Sequence, residues 1–196
     1  FMLLQDHSLG ADASVMITAS HLPFNKNGLK FFTAEGGLEG KDISEILTLA
    51  AEGKSLSPAE KGAHRNINYI DEYAAGLVRF VREKTGKNTP LAGKKIIVDA
   101  GNGAGGFYVD KVLKPLGADT EGSQFLDPDG RFPNHIPNPE NKQAMQSISE
   151  QVKKVKADFG IIFDTDVDRA GAVVSKGEEI NRNRLIALIS AILLAE

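Results

Sequence analysis

K-I-I-V-D-A-G-N-G-A-G-G, Lys95 to Gly106, is the stretch whose reading decides the fold. Lys95 to Asp99 reads as a buried strand, because a short β-branched run bounded by glycines suits a covered, pleated surface. It runs directly into glycines at 101, 103, 105 and 106. A helix is expected from Phe107 to Leu116, then a second strand near Asp119 to Phe125. Strand, glycine turn, helix and strand in that order predict a parallel pair joined by a right-handed crossover. The glycines also fit G-x-G-x-x-G through Gly101, Gly103 and Gly106, with Asp119 or Glu121 near the place of a ribose-binding acid. The plainer reading is that they allow a tight turn and close packing of helix on strand.

Working outward, the same alternation continues. A helix is expected from about Lys142 to Lys156, a strand over Asp158 to Phe163, a return strand over Ala172 to Ser175, and a closing apolar helix from Arg182 to Leu194. Upstream, Ile67 to Thr85 carries Ile70, Ala74, Leu77 and Val81 at helical spacing and stops at Gly86. Further upstream, Ala13 to Thr18 and Leu29 to Thr33 read as strands flanking a loop with Pro23 and Asn27-Gly28, strong turn signals. Asp42 to Ala51 reads as a helix, and Ser57-Pro58-Ala59-Glu60 as the start of another, with Ser57 as cap. The fold class is therefore α/β, two α/β domains with mixed or mostly parallel sheets flanked by helices. The boundaries are residues 1–66 and 67–196.

The strand ending at Phe163 delivers I-I-F-D-T-D-V-D-R-A-G, Ile161 to Gly171. Asp164, Asp166 and Asp168 alternate, so an extended backbone would put all three carboxylates on one face. At an effective dielectric near 20, carboxylates roughly 6 Å apart repel by about 2 to 3 kcal/mol. A cation is the simplest remedy. An EF-hand loop starting at Asp164 needs Gly sixth and Glu twelfth, and here those positions are Arg169 and Ser175. A haloacid-dehalogenase-type phosphatase also begins with an apolar strand running into D-x-D, with Asp164 then the nucleophile and Asp166 the acid/base. That class needs lysine and acidic motifs well downstream, where this sequence holds only Glu178, Glu179 and Glu196 as acids.

Near the start of the chain, Ser20 and His21 stand at a strand exit, with Lys30 coming back beside them on the next strand. The long loop from Asp127 to Glu140 has four prolines, and a loop of that length inside a compact domain is usually functional or disordered. His135 or Glu140 could reach a site from it.

Four segments in order, T-A-S-H-L-P-F-N-K-N-G-L-K (Thr18 to Lys30), V-D-A-G-N-G-A-G (Val98 to Gly105), F-P-N-H-I-P-N-P-E (Phe132 to Glu140) and F-D-T-D-V-D-R (Phe163 to Arg169), resemble the α-D-phosphohexomutases, the phosphoglucomutases and phosphomannomutases. The resemblance implies a piece of a four-domain protein, truncated at both ends: the later part of domain 1 in residues 1–66, and most of domain 2 in 67–196. Domains 3 and 4 have no counterpart here. It further implies that Ser20 is a phosphoserine exchanging its phosphoryl group with a hexose phosphate. Asp164, Asp166 and Asp168 would hold a Mg²⁺ that also touches the phosphoryl group on Ser20. His21 and Lys30 would assist proton transfer or neutralise charge, and Arg169 would anchor the same region. Two positions depart from the family pattern: Leu22, where Asn is usual, and Thr165, where Gly is usual.

Composition sets bounds on partners. A net charge of -3 and a pI near 5.9 give no general attraction to nucleic acid or to anionic membrane. No cysteine is present, which fits a reducing compartment, so cytoplasmic residence is the expectation. The apolar run Leu185 to Ala195 is too short to cross a bilayer, which takes about 20 residues.

Overall fold

The structure is a computed structural model that describes residues 9–53 and 62–194. Residues 20–25 group with residues 68 onward into one compact unit, and the rest of the described chain forms another. The expected helix start at Ser57 lies outside the described residues.

In the first unit, β1 (Ala13–Ile17) pairs antiparallel with β2 (Leu29–Thr33), setting Val15 opposite Phe31 and Ile17 opposite Leu29. A two-residue turn then leads to β3 (Gly36–Gly37). The β1–β2 ladder is closed by the Thr18 N–H donating to the Gly28 carbonyl at 3.0 Å. A Cβ at Gly28 would sit 2.5 Å from that Thr18 oxygen, so the tight end of this loop requires glycine. Helix α1 (Gly40–Ala51) starts two residues ahead of Asp42, because Asp42 itself closes a capping box by accepting the Glu39 N–H at 3.0 Å.

The second unit is a mixed sheet covered on both faces. β4 (Ile96–Asp99) pairs parallel with β5 (Phe159–Phe163), which pairs antiparallel with β6 (Ala170–Val174). Alternate side chains go to opposite faces. Ile97, Ile162 and Val173 meet Ala144, Ile148 and Val152 of α3 (Lys142–Val155), while Ile96, Val98 and Phe163 meet Val109 and Leu113 on the other side. Asn141 starts α3 by accepting the N–H groups of Gln143 and Ala144. Helix α2 (Ile70–Thr85) packs Ala74 and Val78 on Val112 and Leu116 and ends in a left-handed Gly86 at φ +65°. It begins three residues later than expected. Helix α4 covers Arg182–Leu194 as expected.

Two expectations are corrected. The segment after the glycine turn is not one regular helix: a 3-10 turn at Ala104–Gly106 is followed by a π-helical turn at Val109–Leu113. Pro115 explains it, since its ring has no N–H to donate and crowds the carbonyl four residues back. The Lys114 N–H instead reaches the Val109 carbonyl at 3.0 Å. Nor is 119–125 a continuous strand. It makes two isolated parallel bridges, Lys95, just ahead of β4, with Asp119, and Asp99 of β4 with Gln124. Between them Gly122 takes φ +99° against the Val155 side chain, and the chain bows away from the sheet.

Candidate active site

β5 is buried at Ile162 and Phe163, and it carries Asp164 to full burial at the sheet's carboxyl end. The loop 165–169 then turns back into β6. Asp164 is held twice by the same residue. Its Oδ1 accepts the Arg169 backbone N–H at 3.0 Å, and its Oδ2 accepts from Arg169 Nε at 3.0 Å and pairs with Nη2 at 2.9 Å. Arg169 Nε also lies 3.5 Å from Asp168 Oδ1. Burial pushes the Asp164 carboxyl above the ordinary carboxylate range. The Arg169 N–H opposes that rise, while a hydrogen bond with Asp168 and the charges of Asp166 and Asp168 add to it.

One oxygen from each of Asp164, Asp166 and Asp168 lies within 4.8 Å of the others. An octahedral Mg²⁺ with bonds of 2.0–2.1 Å sets opposite oxygens about 4.2 Å apart. The three carboxylates therefore suit that ion after a small inward turn, and an all-oxygen donor set is the one hard cations prefer. Thr165 Oγ1, between the first two aspartates in the chain, is buried and has no hydrogen-bond partner among the described residues. Such a group costs about 1 to 3 kcal/mol. Val167, a β-branched residue in the same loop, is held at φ +67°. Strain of that kind costs on the order of 1–3 kcal/mol and collects at ligand sites.

Ser20 and His21 belong to this unit and reach the acidic loop through Arg169. Arg169 Nη2 donates to Ser20 Oγ at 3.0 Å and lies 2.5 Å from His21 Nδ1, and Ser20 Oγ lies 3.2 Å from the same ring nitrogen. Ser20 also sits at positive φ, +56°. Six of the seven residues expected here are thus gathered by one guanidinium and one loop: Ser20, His21, Asp164, Asp168 and Arg169, with Asp166 in the carboxylate cluster. Lys30 lies in the first unit, exposed on β2 opposite Met16.

Two other expectations are settled by packing. The glycines of the G-x-G-x-x-G pattern are filled by protein. A Cβ at Gly106 would lie 2.0 Å from the Leu126 carbonyl oxygen, and one at Gly103 would lie 2.8 Å from that of Thr165. Asp119 pairs with Lys95 at 3.4 Å. The close-packing reading of these glycines holds. His135 turns inward rather than toward the acidic loop, its Nε2 3.0 Å from both oxygens of a fully buried Asp99. Sequence reading missed Asp99. The available signal was a carboxylate directly after I-I-V in a buried strand, which demands a buried partner.

The chain matches two family profiles, "Phosphoglucomutase/phosphomannomutase, alpha/beta/alpha domain I" over residues 2–57 and "alpha/beta/alpha domain II" of the same family over residues 68–177. It is 33% identical over 178 residues to a phosphoglucomutase of Neisseria meningitidis serogroup A, covering 91% of this chain and 37% of that protein. It is 36% identical over 169 residues to a phosphomannomutase of Escherichia coli, covering 82% of this chain and 36% of that protein. Among solved structures, a phosphoglucomutase/phosphomannomutase family protein from Burkholderia thailandensis aligns with a TM-score of 0.81 at 28% identity, over 94% of this chain and 38% of that one. The chain thus spans little more than a third of the length of these relatives. Among the described residues, no helix is long and apolar enough to cross a membrane. With both domain profiles matched in order and the acidic loop assembled beside Ser20, the chain belongs to the phosphoglucomutase/phosphomannomutase family.

Proposed function

We propose that the protein to which this chain belongs is a phosphohexomutase, interconverting the 1- and 6-phosphates of a hexose through a phosphoserine at Ser20 and a bisphosphorylated sugar. Residues 1–66 are read as the later part of its first domain and 67–196 as its second. The observation that carries the proposal is the reach of Arg169 from Asp164 Oδ2 to Ser20 Oγ, which sets a hydroxyl beside a carboxylate cluster. Phosphoryl transfer is governed mainly by positioning and charge stabilisation, and these residues supply both.

In the forward half-reaction a sugar hydroxyl oxygen bonds to the phosphorus as the bond to Ser20 Oγ breaks. The sugar proton ends on the serine oxygen, and His21 and Lys30 are the proposed carriers and counter-charges. After the bisphosphate turns around, the second phosphoryl group returns to Ser20. Asp164, Asp166 and Asp168 would hold the metal, which we assign as Mg²⁺; when bound it supplies positive charge to the phosphoryl oxygens. Arg169 neutralises part of the carboxylate charge and orients the serine. Because both oxygens of Asp164 are already engaged by Arg169, Asp164 is a poor attacking group, which disfavours an aspartyl phosphatase.

A second reading follows from length. Spanning 37% of a relative such as the meningococcal enzyme, the chain alone could bind metal and phosphosugar without turnover. Intact mass before and after phosphatase treatment, followed by mutase assays of the chain and of the complete protein with glucose and mannose phosphates, separates the readings. Full mutase activity in a complete protein carrying Ser20→Ala would refute the phosphoserine assignment.

A further inference from the structure

We propose that the buried Asp99–His135 pair is a positioning device for the acidic loop, fixing the backbone of the glycine turn against which Thr165 is held. The inference rests on the metal-binding role assigned above to Asp164, Asp166 and Asp168.

Asp99 ends β4, is fully buried, and has three partners. His135 Nε2 lies 3.0 Å from both of its oxygens, the Gly101 N–H donates to Oδ1 at 2.9 Å, and Gln124 Nε2 donates to Oδ2 at 2.7 Å. The Gln124 amide is itself fixed by Ser147 Oγ of α3 at 2.8 Å. His135 is oriented from its other side, with Nδ1 3.0 Å from the Ile136 carbonyl and the ring edge-on to Phe125. A carboxylate buried this deeply is stable only with such complete pairing.

The consequence passes along the backbone. The His135 ring and Pro137 close over Gly101, where an added Cβ would lie 3.1 Å from His135 Cε1 and 2.8 Å from Pro137 Cβ. Gly101 is held at φ +54°. Two residues on, the Gly103 N–H donates to the Ala100 carbonyl at 2.7 Å, and the Ala104 N–H donates to the Thr165 carbonyl at 2.9 Å. Gly103 itself lies flat on Thr165, whose Cα would be 3.0 Å from an added Cβ. Thr165 separates Asp164 from Asp166, so the glycine turn is the floor on which two of the three carboxylates rest. The pair acts through this floor and touches neither metal nor substrate.

Mn²⁺ binding to the protein, followed by electron paramagnetic resonance at a temperature where every variant is folded, tests this. Loss of an outer partner typically weakens a metal site about 10- to 100-fold. His135→Ala is expected to raise the Mn²⁺ dissociation constant by about 10-fold, and His135→Gln, which keeps an N–H for Asp99, to recover part of the loss. Val152→Ala, in the core on the α3 face, lowers stability but is expected to leave Mn²⁺ affinity unchanged. Gly103→Ala, which leaves the pair intact and presses on Thr165, is expected to weaken Mn²⁺ as His135→Ala does. Wild-type affinity in folded His135→Ala overturns the inference alone, as does a loss in Val152→Ala equal to that in His135→Ala. If His135→Ala does not fold, unchanged affinity in Gly103→Ala overturns it. No Mn²⁺ binding by the wild-type protein overturns both this inference and the metal reading beneath it.

Discussion

Arg169 Nη2 stands 3.0 Å from Ser20 Oγ, 149 positions away in the chain, while the same guanidinium neutralises the buried Asp164. One cation therefore serves both the serine loop and the acidic loop. Removing it strands Asp164 without its counter-charge. Breaking a buried pair costs about 3 to 5 kcal/mol, and because Arg169 is about one-third exposed the expected loss for Arg169→Ala is about 2 kcal/mol. Urea unfolding without divalent ions measures it. Added Mg²⁺ should shrink the loss, because a second cation takes over part of the same role. A loss unaffected by Mg²⁺ would mean that Arg169 and the metal do not share Asp164.

The carboxylate cluster predicts a crossover. With oxygens within 4.8 Å of one another, each aspartate raises the cost of the next until a cation arrives. Asp166→Asn should therefore leave the metal-free protein as stable as wild type, or more stable by about 1 kcal/mol. It should also abolish the Mg²⁺ gain, which for a folded-state ligand reaches about 2.7 kcal/mol at 100 times its dissociation constant. Thermal unfolding with EDTA and with Mg²⁺ gives both numbers. Equal Mg²⁺ gains in the two proteins would remove Asp166 from the ligand set.

Two glycines should respond to alanine in opposite directions. Gly106→Ala would drive a methyl to 2.0 Å from the Leu126 carbonyl oxygen, a backbone atom that cannot rotate away. A loss of about 3 kcal/mol or more is expected. Gly76, inside α2, has open space around an added Cβ, so Gly76→Ala should gain about 0.5 to 1 kcal/mol from helix propensity and chain entropy. Denaturant midpoints of the two variants decide it, and a harmless Gly106→Ala would contradict the packing of the glycine turn.

What was legible in the sequence followed periodicity. Ile96 to Asp99 and Phe159 to Phe163 sit in β4 and β5 as their apolar runs require, and Gly86 marks a helix end by local chemistry. The acidic loop was readable because three like charges after a buried strand form a local anomaly. The π-helical turn was less accessible, although Pro115 announced that a regular helix could not pass. The bowed 119–125 segment turns on Gly122 meeting Val155, a contact across 33 positions that no local pattern encodes. Asp99 and His135, 36 positions apart, escaped for a related reason: a carboxylate ending a buried strand signals that a partner is needed, but not which distant residue supplies it.

That pair also makes stability depend on pH in a definite direction. Burial pushes the His135 imidazole down, but the Asp99 hydrogen bond and charge, with the Ile136 carbonyl, carry it above its ordinary value. A base whose folded pKa is raised binds its proton more tightly in the folded state than in the unfolded one. Its contribution is complete below the unfolded value, about 6.5, and declines as pH rises through the higher folded value. His135→Gln lacks this linkage. The stability difference between wild type and His135→Gln should therefore be largest below that unfolded value, about 6.5, and should narrow as pH rises above it through the higher folded value. Urea unfolding across this range measures it. A difference that widens with pH would mean that His135 is buried neutral, with Asp99 held by hydrogen bonds alone.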